Sequence, residues 1–211
     1  MNVYEAIAAR HTIRDFQDRP IAMPVLQRLL AAGMQAPSND HLRKWAFIIV
    51  QDKTERQALI GHIRAPKTAQ EATALVDEWG LSEPSQREMY IDAIPKQHSM
   101  LLEAGALILP CFYAGGSLLH PTTLSSLNGF ASIWCCIENI LIAAASEGIY
   151  GVTRIPFEEE RTVLKQRLNI PEGYEVPCYL ALGYPKQDAR KLKQYPVRLE
   201  DRIHVNGWSK G

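Results

Sequence analysis

The chain has 211 residues, enough for one domain with a complete hydrophobic core, and we expect a single domain over residues 1–211. Its 23 basic and 23 acidic residues cancel, so net charge provides no general attraction to nucleic acid or to an anionic membrane. The four cysteines lie in apolar runs without metal-type spacing, and the N-terminus lacks the apolar stretch of a secretory signal. These features predict a cytoplasmic protein with reduced, buried thiols and no bound metal.

The first 63 residues are expected to form three helices and one strand. A short helix covers residues 2–9, and a second begins near Pro24, a residue suited to the first helical position. The apolar run at 46–50 predicts a buried strand. Residues 52–55 then resemble a helix-opening capping box, so a third helix is expected over 53–63.

The rest of the chain alternates helical and strand patterns. The strongest helical pattern covers residues 125–147 and is apolar on nearly every side, so it needs cover from the domain or from a second subunit. Glu138 and Asn139 interrupt its apolar run, which argues against a membrane span. The other expected elements are helical pieces over 65–105, a strand at 107–113, a loop at 115–123, a strand at 150–153, a helix from Pro156, a strand at 176–183, a basic linker at 186–193 and an apolar C-terminal tail that docks.

Four polar side chains lie within five positions after the first helix: Arg10, His11, Thr12 and Arg14. Cations and a hydroxyl at this spacing suit an anionic ligand. Two simpler interpretations remain open. Arg10 and His11 can complement the dipole of the first helix, and Arg14 can form a surface ion pair with Asp15 or Asp18.

A Pro-Ser-Asn turn at Pro37, Ser38 and Asn39 offers short hydrogen-bonding groups to a flat, polar ligand. No Gly-x-Gly-x-x-Gly follows an expected strand, which argues against a Rossmann dinucleotide site. P-loop, H-E-x-x-H and G-x-S-x-G motifs are also absent from the sequence, and the six histidines show no helical metal spacing. A hydrolytic or zinc-dependent mechanism is therefore not indicated.

Five groups of residues occur along the chain in an order that resembles the nitroreductase family of FMN-dependent oxidoreductases. The opening element is Arg10-x-Thr12-x-Arg14-x-Phe16, followed by Pro20-Ile21, Ala36-Pro37-Ser38 and Trp45. The later groups are Glu138-Asn139 with Leu141, Ala143-Ala144 and Gly148; Leu168-Asn169-Ile170-Pro171-Glu172; Ala181-Leu182-Gly183-Tyr184-Pro185; and Leu199-Glu200-Asp201 with His204 and Trp208.

The resemblance implies an α+β fold with a mixed sheet flanked by helices, assembled as an intertwined homodimer with two FMN sites at the interface. The residues implied for FMN binding are Arg10, His11, Thr12 and Arg14 from one subunit, Pro37, Ser38 and Asn39 from the other, His41, Thr153, Arg154 and Ile155, and Lys191 and Lys193 as phosphate candidates in the linker. A solvated linker is the alternative for the two lysines. Residues from about 190 to 211 correspond to the family's C-terminal arm.

Some positions depart from the family pattern. His41 stands where asparagine is usual, and Arg43-Lys44 replace Gln-Pro. The segment from Thr153 to Pro156 replaces Trp-Ile-Gly-Gly beside the flavin, and proline lacks the N–H group that glycine offers. These departures bear more on the electron acceptor than on the cofactor.

The activity implied is transfer of hydride from NADH or NADPH through FMN to a nitro-aromatic, quinone or similar small-molecule acceptor, in a ping-pong cycle. No protein nucleophile is needed, and Arg14 would act as an electrostatic stabiliser of the reduced flavin. Two other functions stay open: a flavin-fragmenting or dehalogenating branch of the same superfamily, and a non-enzymatic flavin-binding protein. A flavin-free structural domain is the third alternative.

Overall fold

The computed structural model describes residues 1–208. Eight α-helices lie in this part of the chain: α1 (Val3–Ala9), α2 (Met23–Gly33), α3 (Lys53–Ile60), α4 (Ala69–Glu78), α5 (Pro84–Ala93), α6 (Ser99–Leu102), α7 (Asn128–Ser146) and α8 (Glu158–Arg167). The strands are β1 (Trp45–Val50), β2 (Ala106–Tyr113), β3 (Tyr150–Arg154), β4 (Tyr174–Glu175) and β5 (Tyr179–Gly183). Short 3-10 turns occur at Leu124–Leu127 and Leu199–Arg202.

The five strands form one sheet in the order β1-β2-β5-β3, and β4 pairs with the end of β2. Each pairing between these strands is antiparallel. A single parallel bridge joins Thr12 to Gly151 of β3, so the segment after α1 lies along the sheet. The expected α+β class is confirmed, and the parallel part of the expected mixed sheet is limited to this bridge.

Helices cover both faces of the sheet, and the sequence of β2 shows why both faces are buried. Side chains alternate between the two faces of a strand, and apart from Tyr113 every β2 residue is buried. Leu107 and Leu109 belong to the core that also contains side chains of α3, α6 and α8. Ile108 and Phe112 belong to the core formed with α2 and α7. An apolar run without polar alternation is therefore typical of this middle layer.

Helix α7 confirms the strong helical pattern, with its first expected residues forming a 3-10 turn instead. Ile133, Ile137 and Ile140 pack into the core against the sheet. By length and composition, Leu124–Ser146 is apolar enough to cross a membrane, a property that buried core helices share, yet only 33% of its most apolar window is buried. A single chain therefore leaves much of this apolar helix uncovered.

Three element boundaries differ from the sequence prediction. β5 begins at Tyr179 rather than at residue 176, because Pro177 cannot donate to the ladder, and residues 174–175 pair separately as β4. α8 begins at Glu158, after the proline. α3 ends at Ile60, with Gly61 as its C-terminal cap.

The cysteines correct another expectation. Cys111, Cys136 and Cys178 are buried free thiols, but Cys135 is exposed. Adjacent helical residues project about 100° apart, so a pair of neighbours cannot both face one core. Burial raises the pKa of Cys111 to about 11, and burial together with Cys135 raises the pKa of Cys136 to about 12.

The apolar side chains of the C-terminal tail, which are expected to dock, do not do so within one chain. Leu199, Ile203, Val205 and Trp208 are all exposed, and Trp208 keeps 86% of its surface accessible. The loop expected at 115–123 has no regular structure. Any docking of the tail must therefore involve a surface outside this chain.

Candidate functional site

The segment after α1 is held in a fixed path along the sheet. Asn2 and Glu5 form a capping box that starts α1, and the helix ends where the Arg10 N–H group donates to the Ala6 carbonyl. Ile13 donates its N–H group to Gly151 O at 3.2 Å, and its side chain is completely buried. Because side chains alternate in an extended segment, Thr12 and Arg14 project away from the core that receives Ile13.

The next turn of this segment is anchored by Phe16, which is also fully buried. Phe16 bridges Pro185, and a Cβ atom on Gly183 would lie 2.6 Å from the Phe16 ring. Only glycine therefore lets the ring pack at this depth. The buried Ile13 and Phe16 thus define the direction in which the polar side chains between α1 and β3 point.

A cavity of about 1050 Å³ lies beside this segment, and we call it the cationic cavity. Its lining side chains are Ile7, Ala8, Arg10, His11, Thr12, Arg14, Glu83, Ser85, Gln86, Met89, Lys191, Leu192, Lys193, Gln194 and Tyr195. Four arginines or lysines and one carboxylate are among them, so the cavity favours an anionic ligand. Six residues predicted for cofactor binding therefore meet here, although they come from opposite ends of the chain.

Arg10 and His11 follow the C-terminal end of α1, and each side chain has a defined contact. The Arg10 Nε atom lies 3.1 Å from Glu138 Oε1 of α7, and the two side chains are 25% and 51% exposed. His11 Nδ1 lies 2.7 Å from the Ala9 carbonyl oxygen, which can only accept, so Nδ1 carries the proton. His11 Nε2 is then available to a ligand.

Arg14 is buried rather than exposed, and its partner lies on α5. Its Nη1 atom donates to Asp92 Oδ2 at 3.2 Å, and the two side chains are 10% and 5% exposed. A surface pairing with Asp15 or Asp18 is therefore wrong. Burial lowers the pKa of the Arg14 guanidinium, and Asp92 opposes that shift, so the side chain remains a cation in the cavity wall.

Asp92 is the centre of a larger ion-pair network under the cavity. Lys96 Nζ lies 2.7 Å from Asp92 Oδ1 and 2.6 Å from Asp15 Oδ2, and Arg190 lies 3.8 Å from Asp92. The network joins the segment after α1, helix α5 and the C-terminal linker. One buried carboxylate therefore holds three walls of the cavity together.

The basic linker at 186–193, which forms one wall of the cavity, makes further contacts with the rest of the chain. Lys186 donates its N–H group to Asp15 O at 3.0 Å, and Arg190 also pairs with Glu88 of α5. The Lys191 ammonium lies 5.4 Å from the centre of the Tyr150 ring. These contacts bring Lys191 and its neighbours to the cationic cavity without regular secondary structure in the linker.

The turn residues Pro37, Ser38 and Asn39 lie elsewhere. Ser38 and Asn39 line a second cavity of about 190 Å³, between β1 and the start of α7, whereas Pro37 and His41 do not. His41 and Arg43 have positive φ angles of 58° and 45°, so the turn is tightly wound. Within one chain, the structure does not bring this turn and the cationic cavity together.

Thr153 and Arg154 at the end of β3, and Ile155 directly after it, line neither cavity. Arg154 is directed into the protein, where its Nη atoms contact Glu160 at 2.5 Å and 2.8 Å and its Nε donates to Gln97 at 2.7 Å. Its side chain is 7% exposed, so this is an internal ion pair rather than a free cation for a cofactor. Thr153 pairs with Leu180 in the sheet, and Ile155 is 67% exposed.

Sequence reasoning missed the contribution of α5 to the cationic cavity. Ser85, Gln86 and Met89 have the spacing of one helical face, and all three line the cavity. That spacing is visible in the sequence, but the polar 65–105 region gave no reason to select this face. Among residues 1–208, no group of three or more His, Cys, Asp or Glu side chains is arranged to hold a metal ion.

Comparisons with known proteins identify the family of this chain. The family model described as Nitroreductase family matches residues 7–184. A protein of Archaeoglobus fulgidus, named as a candidate NADH dehydrogenase/NAD(P)H nitroreductase, is 30% identical over 205 residues that cover 96% of each chain. A protein of the same name from Methanothermobacter thermautotrophicus is 27% identical over 215 residues, covering 99% of this chain and 88% of the other.

The fold is also found among solved structures. The NADPH:FMN oxidoreductase from Vibrio harveyi, complexed with NAD+, superposes with a TM-score of 0.69 at 22% identity, covering 100% of this chain and 79% of the other. At this identity the likeness establishes the fold. With the family match over most of its length, the chain belongs to the nitroreductase family and is an NAD(P)H-dependent oxidoreductase.

Proposed function

We propose that this protein is a cytoplasmic, homodimeric enzyme that binds FMN in the cationic cavity and passes electrons from NADH or NADPH to a nitro-aromatic, quinone or similar acceptor. The observation that carries the proposal is the convergence of Arg10, Arg14, Lys191 and Lys193 on one cavity. Two segments separated by most of the chain supply these cations. Such convergence is expected for a ligand that carries a phosphate group.

The lining residues fit FMN in charge and in size. The cavity volume of about 1050 Å³ lies at the upper end of the usual range for ligand sites, about 300–1,000 Å³. Arg10, Lys191 and Lys193 would hold the phosphate, and the Thr12 hydroxyl would donate to it. Arg14, fixed by Asp92, would face the ring system. The structural neighbour from Vibrio harveyi is an NADPH:FMN oxidoreductase, which supports FMN over other flavins.

In the proposed reaction, bound FMN supplies hydride acceptance from the nicotinamide and reduction of the acceptor. The chain supplies orientation and charge. The buried Asp92 carboxylate prevents the Arg14 guanidinium from turning toward solvent. The cation would then stabilise negative charge that develops beside it on reduction, without reorganising at that moment. No nucleophile from the protein is needed, because the chain forms no covalent bond to either substrate.

A homodimer is proposed because one chain leaves its apolar surfaces unmatched. α7 is only partly covered, Val3, Tyr4 and Ile7 of α1 are exposed, and the C-terminal tail has no docking site of its own. Burying apolar surface contributes about 25 cal/mol per Å², so covering these faces favours association. In such a dimer, Ser38 and Asn39 of one subunit would complete the cationic cavity of the other.

The oligomeric state can be measured directly by sedimentation velocity at micromolar protein concentration. We expect a dimer, and we expect dissociation to be accompanied by unfolding, because the apolar faces would otherwise meet water. A folded monomer that persists at this concentration would contradict the dimer.

Retention of FMN tests the proposed cofactor site. Arg10→Ala and the Lys191→Ala/Lys193→Ala pair should each weaken FMN binding by roughly tenfold or more, because each removes charge-assisted hydrogen bonds to the phosphate. Lys67→Ala, an exposed lysine remote from the cavity lining, is the matched control and should bind FMN like the wild type. Unchanged FMN affinity in both test variants would show that the phosphate of FMN does not bind in this cavity.

A further inference from the structure

The second cavity has a chemical character that the proposed cofactor site does not explain. Its volume is about 190 Å³, and its lining includes Lys44, Ser38, Asn39, Ser125, Trp45 and Tyr113. We call it the Lys44 cavity. Its position beside Ser38 and Asn39 would bring it next to the flavin in the proposed dimer.

The polar groups of the Lys44 cavity can still donate hydrogen bonds to a ligand. Ser38 Oγ accepts from the Arg43 N–H group at 3.4 Å, and Ser125 Oγ accepts from Asn128 at 3.2 Å. Asn39 Oδ1 accepts from Asn128 at 2.9 Å. Each of these acceptors is thus engaged within the protein, while the two hydroxyl protons and the Asn39 NH₂ group remain to donate. A donor-rich cavity favours a ligand with negatively charged oxygens.

Lys44 adds a full positive charge to this set. Its ammonium lies 5.1 Å from the centre of the Tyr113 ring. Asp40 lines the same cavity and is the carboxylate paired with Lys44, but the contact is weak: its Oδ2 atom lies 3.9 Å from the ammonium, and its Oδ1 atom accepts from the Leu42 N–H group at 3.0 Å. Among the hydrogen bonds formed within residues 1–208, none uses the Lys44 ammonium. Lys44 can therefore bind an incoming anion.

The walls of the cavity are aromatic. Trp45, Phe112 and Tyr113 supply flat apolar surfaces, and Phe112 is held in place by its burial in the core. An apolar cavity of about 150 Å³ is large enough for benzene. A space of about 190 Å³ is therefore suited to one ring with a small substituent.

We propose that the Lys44 cavity selects acceptors that carry a carboxylate on an aromatic ring. This inference rests on the proposed function for the position of the flavin, but the binding of the carboxylate depends only on the cavity. Lys44, Ser38 and Ser125 are the specificity-determining residues. The ring lies against Tyr113 and Trp45, and the carboxylate accepts from the ammonium and the hydroxyls.

Benzoate, which carries no reducible group, tests the binding step alone. In isothermal titration calorimetry with FMN-saturated wild-type protein, benzoate should bind roughly tenfold more tightly than benzyl alcohol, its neutral analogue, since a charge-assisted hydrogen bond separates them. Lys44→Met should remove this preference and Lys44→Arg should retain most of it. The preference should also weaken as salt is added. Lys53→Met, an exposed lysine outside the cavity, is the matched control and should behave like the wild type.

A kinetic comparison tests selection during turnover. The ratio of kcat/KM for 4-nitrobenzoate to that for 4-nitrobenzyl alcohol should fall roughly tenfold in Lys44→Met and stay unchanged in Lys53→Met. Equal affinity of wild-type protein for benzoate and benzyl alcohol, no binding of either, or an unchanged preference in Lys44→Met would overturn the inference.

The oxidoreductase activity and the carboxylate preference of the Lys44 cavity can be tested separately. Oxidation of NADPH by wild-type protein with p-benzoquinone, a neutral acceptor, reports on the proposed oxidoreductase alone. Turnover with quinone but no carboxylate preference overturns only the role of the Lys44 cavity. Absence of flavin-dependent turnover overturns the proposed function, while benzoate titration still decides whether the cavity binds a carboxylate.

Discussion

The ion-pair network under the cationic cavity predicts that the charge of Asp92 contributes strongly to the stability of the protein. Its carboxylate contacts Arg14 at 3.2 Å and Lys96 at 2.7 Å, and its side chain is only 5% exposed. Asp92→Asn preserves the shape of the side chain and removes its charge. Lys96 then keeps Asp15 at 2.6 Å, whereas Arg14 loses its direct ion pair and retains only the more distant charge of Asp15.

The expected loss of stability follows from this difference between Lys96, which keeps a carboxylate partner, and Arg14, which loses its partner. Removing one partner of a buried ion pair costs about 3–5 kcal/mol, because the remaining charge stays desolvated. Asparagine can still accept one hydrogen bond and Lys96 retains a partner, so we expect the lower end of the range. Asp92→Asn should therefore reduce the free energy of unfolding by about 3 kcal/mol.

Urea denaturation at one protein concentration and saturating FMN measures this loss, because association and ligand binding both change apparent stability. Glu88→Gln is the matched control: it lies on the same helix and pairs with Arg190, but its side chain is 47% exposed, so less than about 1 kcal/mol is expected. In an Arg14→Met background, Asp92→Asn should cost clearly less than in wild type. A loss below about 1 kcal/mol, or equal losses in both backgrounds, would refute the account of this network.

Three further predictions concern other parts of the chain. Arg14→Ala should lower the midpoint potential of bound FMN and slow hydride transfer roughly tenfold, because the cation stabilises charge formed on reduction; an unchanged potential in a redox titration would assign Arg14 a purely structural role. Burial opposes ionisation of Glu175, but Lys165 and Arg161 outweigh it and hold the pKa of this carboxyl below its usual value. The resulting stability is present above about pH 4.3 and lost as pH falls through the lower folded pKa, so Glu175→Gln should flatten the acid limb of the unfolding free energy against pH. Gly33→Ala should destabilise the protein by about 1–3 kcal/mol in urea denaturation, because its Cβ atom would lie 2.6 Å from Ile140 Cγ1; wild-type stability would mean that α2 and α7 separate without cost.

Much of the fold could be predicted from local patterns. The apolar runs of β1 and β2, the capping residue Asp52 and the long apolar pattern of α7 each identified an element. Element ends were less predictable where two signals competed. The apolar run already includes Pro177, but the missing N–H group of this proline delays the start of β5 to Tyr179.

The site could be predicted only in part, because its decisive contacts join distant segments. The polar spacing of Arg10, Thr12 and Arg14 indicated an anionic ligand, and those side chains do line one cavity. Nothing local to Arg14 reveals that Asp92 is its partner, since the two lie 78 positions apart in the sequence and meet only in the folded protein. Arg154 illustrates the reverse case, because Glu160 turns a candidate ligand-binding cation inward.

The absorbance spectrum of the purified protein, recorded without oxygen before and after addition of NADPH, decides whether the protein is an FMN-dependent oxidoreductase. We expect visible flavin absorption from bound FMN, bleaching on addition of NADPH or NADH, and recovery when an acceptor is added. A colourless protein that takes up no added FMN would contradict the cofactor site, and bound FMN that neither nicotinamide reduces would contradict the oxidoreductase.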